Sequence, residues 1–124
     1  MTRANLASVC AAFALIALAG PAVAESRYCA RLSEQDHFSS SGQRLTTVGA
    51  VIQQDRANFH RFGRADPEDE SDAIFSNKRN RELLNGRVDA NALSQAERRE
   101  IVDGTPYVCV TASDDGAAFI TSIR

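Results

Sequence analysis

The stretch richest in groups that can do chemistry is residues 53–66, reading Gln-Gln-Asp-Arg-Ala-Asn-Phe-His-Arg-Phe-Gly-Arg-Ala-Asp. It sets a carboxylate (Asp55), three guanidinium groups (Arg56, Arg61, Arg64) and an imidazole (His60) within a few helical turns. Arg56 and His60 are four residues apart and share a helix face. A helix C-terminus favours a positive charge there. Guanidinium groups in such a cluster suit a carboxylate or another anion. Asp55, Arg56, His60, Arg61 and Arg64 are therefore the candidate ligand-binding residues. The bland alternative is a solvated face with charges matched to the helix end.

A second candidate set, for an enzyme or a metal-dependent protein, is His37, His60, Asp36 and Asp55. Histidine and carboxylate are ordinary metal ligands and general acid–base groups. The spacing gives little support, with no His-x-x-x-His pair, no His-Glu-x-x-His and no Gly-x-Ser-x-Gly elbow. Asp36-His37 beside Ser39, Ser40 and Ser41 lists the members of a triad, but neighbours in sequence rarely converge as one. The acids Asp66, Glu68, Asp69, Glu70 and Asp72 lack the alternation of a calcium loop. Phosphate-cradling glycine motifs are absent. The expectation is thus no catalytic residue, no metal and no cofactor, and no motif attaches the chain to a family of established activity.

The elements that must carry these groups can be read from periodicity. Residues 1–24 have an early Arg3, an apolar run, a Gly20-Pro21 break and a closing Ala-Val-Ala, the layout of a cleaved signal peptide. The expected mature chain, 25–124, is one small domain in the periplasm or secreted, with no membrane span after cleavage. An uncleaved anchor is the alternative for that segment. Of three cysteines, removal of Cys10 leaves Cys29 and Cys109. In an oxidising compartment these are expected to form a disulfide closing a loop of about 80 residues, stabilising the fold by ~4.5 kcal/mol.

Residues 28–32 read as a strand. Leu45, Val48, Ile52, Phe59 and Phe62 mark one face of a long helix from a Ser41 cap to Gly63, with Gly49 placed where another element packs close. Asp66-Pro67-Glu68-Asp69 reads as the start of a second helix reaching Leu84, with a break near Ser76. Ser94-Gln95-Ala96-Glu97 is the capping box of a third helix ending at Gly104. Residues 107–111 and 118–123 flank Asp115-Gly116, a hairpin signal. The expected fold is α+β: a three-stranded antiparallel sheet, from the N-terminal strand plus the C-terminal hairpin, covered by two or three helices.

The formal net charge is −2 and Lys78 is the only lysine. This balance argues against nonspecific nucleic-acid binding, where phosphate contacts supply the affinity. The leading expectation is a small exported, disulfide-stapled binding protein whose partner is another envelope protein or an anionic ligand. A purely structural envelope protein is the third reading.

Overall fold

The computed structural model describes residues 25–124, together with 10–12 and 14. The expected signal segment, apart from those four positions, lies outside the described residues. No helix among the described residues is long and apolar enough to cross a membrane.

Alternation of inward and outward side chains builds the sheet. Strands β1 (Glu25–Arg31), β2 (Val88–Asp89), β3 (Tyr107–Ser113) and β4 (Ala118–Ile123) lie in the order β1-β3-β4-β2. Tyr28, Ala30, Val108, Val110, Ala112 and Ala118 are buried on the inner side of the sheet. The sheet corrects the three-stranded antiparallel expectation: it has four strands and is mixed, because β2 joins β4 in parallel. Two residues are too few to give a period-two signal, so this strand had none to read. The hairpin is as expected, with Gly116 at φ 86° and Ser113 N–H bonded to Ala117 O at 3.0 Å. Cys29 stands directly opposite Cys109 in the β1–β3 register. The two form the disulfide, with Cα atoms 4.0 Å apart across 80 residues of sequence.

The long helix is shorter than its hydrophobic spacing suggests. Helix α1 spans Val48–His60, with the Thr47 hydroxyl accepting from Ala50 N–H as N-cap. The segment before it is held in a loop instead, by a Phe38–Arg44 bridge and Leu45 N–H to His37 O at 2.8 Å. Gly63, at φ 62°, ends the helix as anticipated. Gly49 is also where expected: a Cβ there would lie 2.3 Å from Asn85 O.

The expected second helix is mostly absent. Only Lys78–Leu83 (α2) is helical, capped by Asn77, and a 3-10 turn at Leu84–Gly86 follows. The acids of residues 66–70 have another task. Glu70 N–H donates to Cys29 O at 2.9 Å, and its Oε1 accepts from Cys29 N–H at 2.7 Å. Asp69 Oδ1 accepts from Arg31 N–H at 2.9 Å. The segment thus covers the free edge of β1, which would otherwise present unpaired backbone groups. Helix α3 (Gln95–Asp103) carries the expected Ser94–Glu97 capping box and stops at Gly104. The core between sheet and helices holds Leu32, Val51, Ile52, Phe75, Leu84 and Ile101.

Candidate functional site

The polar segment of α1 has two faces with different surroundings. On the inner face the centre is Arg56, which is fully buried. Its Nε donates to Asp55 Oδ2 at 2.8 Å, and its Nη1 to Glu70 O at 2.9 Å and Asp72 Oδ1 at 3.0 Å. The guanidinium carbon lies 3.8 Å from the centre of the Tyr28 ring and 4.7 Å from that of Phe59. One side chain thereby joins α1, the 70–72 segment and β1. His60 Nε2 adds a 2.8 Å contact to the same Asp72 oxygen. Asp72 Oδ2 accepts from Phe75 N–H, so that carboxylate is saturated.

Burial shifts the ionisation of this cluster. It pushes Asp55 well above the usual carboxylate range, against the pull of Arg56. Burial also opposes the charge on Arg56, but Asp55, Tyr28 and Asp72 together outweigh it and lift Arg56 above its ordinary value. Tyr28 is likewise raised by burial. Tyr28 Oη, Asp55 Oδ1 and Arg56 Nη2 are buried without a protein partner. None of these groups is presented at the surface.

Asp36 and His37 sit in a 3-10 turn, Glu34–His37, between β1 and α1. Asp36 Oδ1 accepts from Asn58 Nδ2 at 2.8 Å, and Oδ2 from Ser33 N–H at 3.0 Å. Burial raises its pKa to about 6 despite those bonds. His37 Nδ1 and Nε2 face the carbonyl oxygens of Ser33 and Ile101 at 2.8 and 2.9 Å. The ring pins the turn to α3.

His37, His60, Asp36 and Asp55 therefore fall into two groups: His37 and Asp36 around Ser33, with Ile101 O and Asn58, and His60 and Asp55 linked through Asp72 and Arg56. No hydrogen bond joins any two of them, and none lines the grooves described next. No group of three or more His, Cys, Asp or Glu side chains among the described residues is placed to hold a metal ion.

The outer face of α1 forms the floor of a surface groove. A depression of about 490 Å³ lies between the 39–41 serine loop and α2. Its floor is Leu45, Ala50, Ala57 and Phe62, and its rim includes Arg61, Lys78, Arg81 and Glu82. A second depression, about 360 Å³, shares Ser39, Ser40, Gln54 and Phe62 with the first and extends to Arg64. Phe62 stands between them, 37% exposed, with the Arg61 guanidinium carbon 4.9 Å from its ring centre. Glu82 pairs with Lys78. That contact, with Arg61 and Arg81 adding to it, lowers Glu82 below its ordinary value.

The five ligand-binding candidates are thus divided. Asp55 and Arg56 are buried in the inner network, and His60 is nearly so on Asp72. Arg61 and Arg64 are exposed at the two ends of the groove. Sequence reasoning missed Phe62, Lys78 and Arg81 as groove residues. Lys78 and Arg81 lie three apart on α2, a same-face spacing, but only the tertiary fold sets them opposite α1. No family model, curated protein or solved structure matches the chain.

Proposed function

We propose that the protein is a small exported, disulfide-stapled binding protein that contacts its partner through the groove over the outer face of α1. The observation that carries this reading is the grouping of a half-exposed Phe62 with Arg61 and Arg64, exposed guanidinium groups that no hydrogen bond or salt bridge among the described residues engages. Apolar and arginine side chains grouped in this way are what binding surfaces use as anchors. The inner polar residues, by contrast, are buried and bonded mainly to one another and to backbone, away from the surface. Export is supported by the layout of residues 1–24 and by a disulfide, which persists in oxidising compartments.

The test is a photo-crosslinking phenylalanine analogue introduced at position 62 or, separately, at position 119 on β4, outside both depressions. Phe119 is the most exposed large apolar side chain among the described residues, at 49%, and so is the stringent control. A discrete adduct from position 62 alone, in the exported fraction of the producing cells, is expected. Adducts from position 119 alone, or a protein retained in the cytoplasm, would overturn the reading.

A further inference from the structure

Resting on that groove reading, we infer that the occupant is an acidic peptide segment of another protein, carrying an apolar side chain that packs on Phe62. Charge complementarity selects it. The larger depression has Arg61, Lys78 and Arg81 along its lining against one carboxylate, Glu82. Lys78 and Glu82 pair with each other, and Arg81 donates to the carbonyl oxygens of Phe75 and Ser76, which leaves its charge uncompensated; the Arg61 guanidinium makes no hydrogen bond among the described residues. The smaller has Arg64 and no acid. Both ends of one continuous groove are therefore positive, although the whole chain carries a formal charge of −2. An exposed guanidinium presents forked donors that match a carboxylate.

The middle of the groove favours a peptide over other polyanions. Ala50 and Ala57 are small and leave room beside Phe62 for one apolar side chain. Gln53 and Gln54 each donate through Nε2 within the protein, to Glu82 O at 3.1 Å and Asn58 Oδ1 at 3.0 Å. Their amide oxygens remain as acceptors, for which a peptide N–H is the complement. A bilayer would meet one exposed phenylalanine flanked by a recessed floor, which is not an insertion surface.

The experiment is selection of short random displayed peptides on the immobilised wild-type protein, counter-selected on an Arg61→Glu/Arg64→Glu variant. Binders are then measured by fluorescence anisotropy at low and high salt. The expected binders combine Asp or Glu with an aromatic or aliphatic residue and weaken as salt rises. They lose about tenfold or more in affinity to Arg61→Glu/Arg64→Glu and to Phe62→Ala. Neutral or basic binders, binders indifferent to those variants, or no enrichment at all would overturn the inference. So would Arg61-dependent binding of phosphatidylglycerol vesicles or heparin in place of peptides. An adduct from position 62 in cells alongside any of these failures removes the acidic peptide and leaves the groove reading. Absence of that adduct removes the groove reading itself.

Discussion

Arg56 and Arg61 are five residues apart at the same end of α1, and Phe59 and Phe62 lie beside them, yet the two pairs belong to different regions. Arg56 is enclosed by Asp55, Asp72, Glu70 O and the rings of Tyr28 and Phe59. Arg61 is exposed, and its aromatic contact is with an equally accessible Phe62. A buried charge holds structure because removing one partner strands the others in a poor solvent. An exposed charge contributes little to stability and is free to meet a ligand. Residue type does not separate the two roles; the partners already present do.

Six variants would break or sharpen this comparison. Cys109→Ser should have the largest effect, a loss of ~4.5 kcal/mol, because the Cys29–Cys109 bond holds β1 and, on it, the Tyr28 ring under Arg56. Urea unfolding under oxidising conditions would show it. Arg56→Ala should lower stability by about 3–5 kcal/mol, whereas Arg61→Ala should stay within ~0.5 kcal/mol. Equal losses in the same assay would erase the distinction. Phe59→Ala, at a half-buried site, should lose about 2 kcal/mol, below the 3–5 kcal/mol of a fully buried ring. Phe62→Ala should stay within ~0.5 kcal/mol.

The last variant tests a pH effect. Burial raises Asp36 from 3.8 to about 6 in the folded protein. The folded state therefore holds this proton where the unfolded state has released it. The resulting stability is fully present below the unfolded value and is lost as pH rises through about 6. Asp36→Asn removes that titration. Between pH 5 and pH 7 the stability difference between the variant and wild type should move in the variant's favour by about 1 kcal/mol. No movement would mean that Asp36 is not buried as described.

Much of the architecture was legible from local signals. The Ser94–Glu97 box, the Asp115-Gly116 turn and the stop near Gly63 all follow from rules acting within a few residues, and Gly49 flagged a close approach although its neighbour, Asn85, is distant in sequence. What failed was long-range. Asp66-Pro67-Glu68-Asp69 has the composition of a helix start, but its backbone and carboxylates are spent on the edge of β1, nearly 40 residues earlier (38 for the Asp69–Arg31 bond). The assumption that Phe62 continues the apolar stripe failed for a related reason. Past the end of α1 at His60, helical spacing no longer dictates where a side chain points. The candidate site was half visible: Arg61 and Arg64 were named from sequence, but Lys78 and Arg81 come from a separate helix.

The most direct test of the division between the two faces is the Arg61→Glu/Arg64→Glu variant carrying the crosslinking residue at position 62, assayed for both its unfolding midpoint and its adduct. The account predicts a midpoint close to that of the protein with the crosslinker alone, together with loss of the adduct. A large drop in midpoint would place the outer arginines in the fold, and a retained adduct would show that their charge plays no part in binding; either result contradicts it.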